Sequence, residues 1–129
     1  MNTKQKSIAL LAAILFVAYP PAPTQLAATL VDGGHVLLTW VNNYVPPKKK
    51  GTGGLTVQRG INISLAGDPF WGAQYSYVAW TPVARLPLTT AAYVDTLPPG
   101  VDLAAIRYRV LVRSHDGVTV SSAVVEISP

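Results

Sequence analysis

Side chains able to do acid–base or covalent chemistry are few and scattered in this 129-residue chain. There is no cysteine, and the only histidines are His35 and His115. A hydroxyl nucleophile needs an activating base within hydrogen-bond reach. No Gly-x-Ser-x-Gly turn supplies one, and no His/Glu pair stands at metal-ligand spacing. The six acids lie singly along the chain, none paired for two-carboxylate catalysis. His115 adjoins Asp116, but Ser114-His115-Asp116-Gly117 reads as a hairpin turn, where polar residues serve solvation. The inventory points away from an enzyme, and no cofactor or metal is expected.

What remains is surface chemistry. Phe70, Trp71, Tyr75, Tyr77 and Trp80 fall within eleven residues, and planar aromatics offer low-entropy contact area to sugar rings or to a protein. The competing reading is a long segment that folds back and buries its aromatics. Phe70, Trp71 and Tyr75 are the expected exposed members. Arg107, Arg109 and Arg113 share one parity of the segment Ile106–Arg113, whose other parity is Ile106, Tyr108, Val110 and Val112. Strand side chains alternate faces, so this is a β-strand with one buried and one basic side. Three guanidiniums in a row suit bidentate docking of an acidic group or a neighbouring subunit, or merely keep an open sheet face soluble. Lys48-Lys49-Lys50-Gly51-Thr52-Gly53-Gly54 lacks the order of a phosphate loop and leads into a strand, so nucleotide binding is rejected.

The elements that must position these groups are strands. Gln25–Leu30 and His35–Val41 alternate around a Val31-Asp32-Gly33-Gly34 turn, with Val36, Leu38 and Trp40 on one face. Asn42–Gly54 is a loop. Leu55–Arg59 follows as a third strand. Tyr77–Trp80 and Val83–Leu86 read as strand pieces interrupted by Pro82, which favours an edge position. Ala92–Thr96, Ile106–Arg113 and Val118–Ile127 complete seven strands, with no amphipathic helix after residue 24. That spacing implies an all-β sandwich.

Ahead of the strands, Lys4 and Lys6 precede an unbroken apolar run from Ile8 to Ala18. This is the pattern of a signal peptide. Eleven helical residues reach roughly 17 Å, short of a hydrocarbon core of roughly 30 Å. Two readings stay open for residues 1–19: a cleaved signal, or a retained hydrophobic, helical leader that touches membrane or packs on a partner. Residues 20–24 are a stiff proline-rich connector, and residues 25–129 form the domain. The net charge of +4 includes Lys4 and Lys6; without them eight cations face six acids. So mild a balance gives no case for nucleic acid. With no cysteine, stability rests on packing alone.

Taken together, several segments resemble a fibronectin type III domain. Pro23-Thr24-Gln25-Leu26-Ala27-Ala28 and Val36-Leu37-Leu38-Thr39-Trp40 are similar to its A and B strands. Leu55–Arg59, Trp80–Ala84 and Ala92–Thr96 resemble its C, C′ and E segments. Leu97-Pro98-Pro99-Gly100, Tyr108-Arg109-Val110 and Ser121–Val125 complete the order. The resemblance implies a seven-stranded antiparallel β-sandwich in which the arginine strand lies beside Thr56 and Gln58 on an outer face, and in which Trp80 packs. Two departures stand out. The family's usual tyrosine, two residues before Tyr108, is replaced by Ile106, so the corner preceding that strand should be built on apolar packing. The Gly60–Tyr77 connection is also longer than usual.

The expected role is a non-catalytic, extracytoplasmic binding or adhesion module, secreted or on the cell surface. Its candidate contacts are Phe70, Trp71, Tyr75, Arg107, Arg109 and Arg113, and its partner is a protein or a surface polysaccharide. The alternative is a structural subunit of a filament, coat or larger assembly, with the apolar N-terminus retained and packed on a neighbour.

Overall fold

A computed structural model describes residues 19–47, 53–65 and 75–129. The leader, the Lys48–Lys50 segment, Phe70 and Trp71 lie outside the described residues. The described chain is all-β: β1 (Thr24–Asp32), β2 (His35–Val41), β3 (Gly54–Leu65), β4 (Tyr75–Leu86), β5 (Ala92–Thr96), β6 (Ile106–Arg113), β7 (Thr119–Ser121) and β8 (Val125–Ser128), with one 3₁₀ turn at Leu103–Ala105 before β6. They form one sheet in the order β4-β3-β6-β8-β1-β2-β5, with β7 paired to β6. β8 joins the two halves. Val125 and Glu126 pair antiparallel with Tyr108 and Arg107 of β6, then Ile127 and Ser128 pair parallel with Ala28 and Thr29 of β1. The sheet is therefore mixed rather than wholly antiparallel.

Because the sheet curls, inward residues of both halves enclose one core. Ala28, Val36, Leu38 and Trp40 come from one half, and Leu55, Val57, Ile106, Tyr108, Val110 and Val112 from the other. The alternation of β6 is realised: all four residues of the Ile106 parity are buried, and Arg113 is exposed. Burying such side chains contributes roughly 1.5–3 kcal/mol each, the main term favouring the fold.

Three expectations about elements are corrected. Among the described residues eight strands form rather than seven, because Val118–Ile127 divides into β7 and β8. The buried Ser122 causes the break: its hydroxyl accepts from the Val110 amide at 2.9 Å and donates to the Ala123 carbonyl at 3.0 Å, taking a place that backbone would fill in a regular ladder. Next, Pro82 does not interrupt the strand. β4 runs through it at the sheet edge, where a missing N–H costs no ladder bond, and Val83 is accommodated by a bulge opposite Val57 and Gln58. Finally, the Gly60–Tyr77 connection is largely strand: Gly60–Leu65 extends β3 and Tyr75–Ser76 extends β4 ahead of the expected Tyr77–Trp80, paired from Gly60↔Trp80 to Leu65↔Tyr75.

The corner before β6 holds buried Ile106, with Leu97 buried and Val101 and Leu103 packed against the core. Asp102 caps the 3₁₀ turn by accepting from the Ala104 amide at 3.1 Å. A polar cluster completes it. Asp95 is 3% exposed on the inward face of β5 and receives Arg59 Nη1 at 3.0 and 2.7 Å and the Tyr108 hydroxyl at 2.6 Å. A buried carboxylate is costly unless paired and hydrogen-bonded, and this one is both. Burial first, and then the hydrogen bond to Asp95 and its charge, push the Tyr108 phenol well above its ordinary pKa.

Candidate functional site

Of the candidate contacts, the β3–β4–β6 half carries Tyr75, Arg107, Arg109 and Arg113, and the ladder sets their neighbours. Arg109 pairs with Gln58, Arg107 with Gly60, and Arg113 with Gly54. Residues paired across a ladder share a face, so the arginines stand on the outer face with Thr56 and Gln58, opposite the core.

The three guanidiniums differ in availability. Arg107 donates from Nη1 to the carbonyls of Ala104 at 2.7 Å and Ile106 at 3.0 Å, and its Nη2 meets Glu126 at 3.2 Å. It ties the 3₁₀ turn to β8. Arg109 Nε donates to Gln58 Oε1 at 2.6 Å, and its guanidinium lies 4.1 Å from the Trp80 ring centre. Burial lowers the Arg109 pKa. Trp80 in turn lies across Gly60, where an added Cβ would run into Val78 and stand 2.9 Å from Trp80 Cε3. Gly60, Trp80 and Arg109 thus form one stack on the outer face. Arg113 is the exposed member of the row.

Tyr75 is exposed, and it belongs to a larger surface that the expected site did not include. On β3 the inward parity continues past Arg59 as Ile61, Ile63 and Leu65, paired with Ala79, Tyr77 and Tyr75. Ile61, Leu65, Tyr75 and Tyr77 are 43%, 38%, 61% and 49% exposed. The other parity here is Asn62, Ser64 and Ser76, with Val78. The reason is length. β3 and β4 have twelve residues each, whereas β2 and β5 opposite have seven and five, so the hairpin outruns the half that would cover it. Alternation over Ile61–Leu65 was the available signal, and it fell inside what reads as the long Gly60–Tyr77 connection.

The histidines lie at Asp32 and at Tyr44. His35 Nδ1 contacts Asp32 at 2.7 Å in the β1–β2 turn. The Asp32 carboxyl is held below its ordinary pKa by the Gly34 amide and then by His35. The Tyr44 hydroxyl accepts from the His115 amide at 3.1 Å and lies 2.8 Å from its Nδ1. Among the described residues, no three His, Cys, Asp or Glu side chains cluster as a metal site. No described helix is long and apolar enough to cross a membrane.

Comparison with known proteins places the chain in no family. Protein-family models give no match, and curated proteins give none.

Proposed function

We propose that the chain is a non-catalytic, extracytoplasmic binding module of fibronectin type III type, and that it takes a protein partner on the inward face of the distal β3–β4 hairpin. The observation that carries this reading is the uncovered apolar strip of Ile61, Ile63, Leu65, Tyr75 and Tyr77. Two tyrosines exposed to this extent present on the order of 200 Å² between them. Covering that area is worth roughly 5 kcal/mol before the costs of association. Aliphatic Ile61 and Leu65 favour a protein over a sugar, because a sugar's hydroxyls need polar partners there. Among the described residues β4 also has a free edge, whose unpaired amides and carbonyls suit an added strand.

The fibronectin type III assignment is supported by strand partition. β1, β2 and β5, which match the A, B and E segments, form one half. β3, β4 and β6, which match C, C′ and F, form the other. Sandwiches of this superfamily divide their strands in this way. The extracytoplasmic location rests on the basic and apolar leader at Lys4–Ala18.

Site-specific photo-crosslinking in the producing cell tests the role. A photoreactive residue in place of Tyr77 should yield a discrete adduct that Ile61→Asp abolishes and that the same residue at Thr39 does not give. An adduct with a different protein supports the binding module. An adduct of twice the chain mass instead supports the assembly subunit, and absence of any adduct refutes the hairpin as a contact surface.

A further inference from the structure

At the other end of the same half, away from the hairpin face, a cleft of about 680 Å³ opens at the start of β3 and the ends of β4 and β6. Its walls carry Arg85, Arg113 and His115, and its floor includes Gly54 and Thr56. Arg85 pairs with Thr56 from one side of β3, and Arg113 pairs with Gly54 from the other. Both arginines therefore stand on the outer face and flank the same short piece of strand. Two strands from each other and offset by two residues along β3, their backbones are roughly 12 Å apart. Gly54 places no side chain in that gap.

Charge in the cleft is one-sided. No carboxylate is among its described lining residues. The ion pairs formed among described residues use His35, Arg59 and Arg107, and neither cleft arginine. Arg85 and Arg113 are both exposed, and among the described residues neither guanidinium is engaged in an ion pair, so both forks can meet a ligand. His115 adds a donor. Its Nδ1 lies 2.8 Å from the Tyr44 hydroxyl, which leaves Nε2 as the ring nitrogen available to a ligand. Gly53 shapes the rim: its φ is +153°, and a Cβ there would stand 2.8 Å from the Arg113 carbonyl oxygen.

We propose that this cleft is an oxyanion-binding site that takes a phosphate or sulfate group between Arg85 and Arg113, with His115 as a third donor. Tetrahedral oxyanions have enough oxygens to occupy both forks at once, which a halide cannot do. A free ion and a group carried on a polymer share this chemistry. The site does not depend on the proposed use of the hairpin.

The test is an amide-resolved NMR titration of the whole protein with inorganic phosphate and with sulfate, each against sodium chloride at matched ionic strength. Saturable shifts are expected at Gly54, Thr56, Arg85 and Arg113 with the oxyanions and not with chloride. Arg85→Gln and Arg113→Gln should each weaken binding roughly tenfold or more, as loss of a charged hydrogen-bond donor does. Neither is packed in the core, so the melting temperature should hold. Arg113→Lys should recover only part of the affinity, because it keeps the charge and loses the fork. Polyphosphate binding more tightly than phosphate, per phosphate group, would support the site and assign it to polymer-borne groups; equal affinity would support it for the free ion. Shifts equal to those with chloride, or unchanged in the Arg85→Gln/Arg113→Gln protein, would overturn the proposal.

Discussion

Removing one oxygen atom from the core, by Tyr108→Phe, tests whether the Arg59–Asp95–Tyr108 cluster acts as described. The hydroxyl donates at 2.6 Å to a carboxylate that is 3% exposed. A hydrogen bond to a charged group contributes about 1.5–3 kcal/mol. Asp95 keeps both contacts from Arg59, so the loss should fall near the lower end, at about 2 kcal/mol. For a domain of this size that lowers the melting temperature by roughly 8 °C. A second signature separates this bond from generic packing. The Tyr108 pKa is raised in the folded state by burial and by Asp95. Above pH ~10 the unfolded chain releases the phenol proton while the folded chain keeps it, so the native state binds more protons and stability must fall as pH rises. The slope from this one group is about 1.4 kcal/mol per pH unit above the unfolded pKa, and nothing is lost below it. Urea unfolding followed by tryptophan fluorescence, repeated from pH 7 to 12, measures both. Tyr108→Phe should be less stable at neutral pH and show a shallower alkaline decline. Asp95→Ala, which leaves the Arg59 charge unpaired, should cost more, about 3–5 kcal/mol. Its effect should shrink in the Tyr108→Phe background. A Tyr108→Phe cost below about 0.5 kcal/mol, with an unaltered alkaline slope, would refute the reasoning.

Two further outcomes follow from the outer face. Arg109→Ala should cost about 1 kcal/mol through its Trp80 and Gln58 contacts and should change Trp80 emission, whereas Arg107→Ala should leave that emission unchanged; equal spectral effects would dissolve the proposed stack. Gly60→Ala should destabilise by about 1–3 kcal/mol in chemical denaturation, since its Cβ would have to displace Trp80 or Val78, and a neutral result would mean that the stack shifts freely.

Much of the strand inventory was legible because side-chain alternation is a local signal. His35–Val41 and Ala92–Thr96 form within the expected bounds, and Ile106–Arg113 buries the expected parity. The misjudged places are those where a local signal was overruled by pairing. Pro82 ends a strand only if its N–H is needed, and at the edge it is not. Val118–Ile127 alternates well enough for one strand, but Ser122 satisfies β6 with its side chain and splits it. Gly60–Tyr77 reads as one long connection, whereas the β3–β4 ladder takes in its first six residues, to Leu65.

The candidate surface was legible only in outline. Tyr75 stood out as an aromatic among aromatics, yet Ile61, Leu65 and Tyr77 join it only because β2 and β5 end early. The arginine row was visible as a row, but nothing in its spacing distinguished Arg107, consumed by carbonyls and Glu126, from the exposed Arg113. Asp95 carried a signal that passes easily unnoticed: a carboxylate on the inward parity of a strand requires a partner.

The sequence by itself determined the all-β class, the buried and open faces of its clearest strands, and the scarcity of groups for catalysis. These depend on neighbours two residues apart or on composition. Only tertiary structure decided which side chains meet. Arg59 and Asp95 are 36 residues apart, Tyr44 and His115 are 71 apart, and Arg85 and Arg113 come to flank Gly54 through strand pairing. Curl and register of the sheet set those encounters, and both are properties of the whole chain rather than of any segment within it.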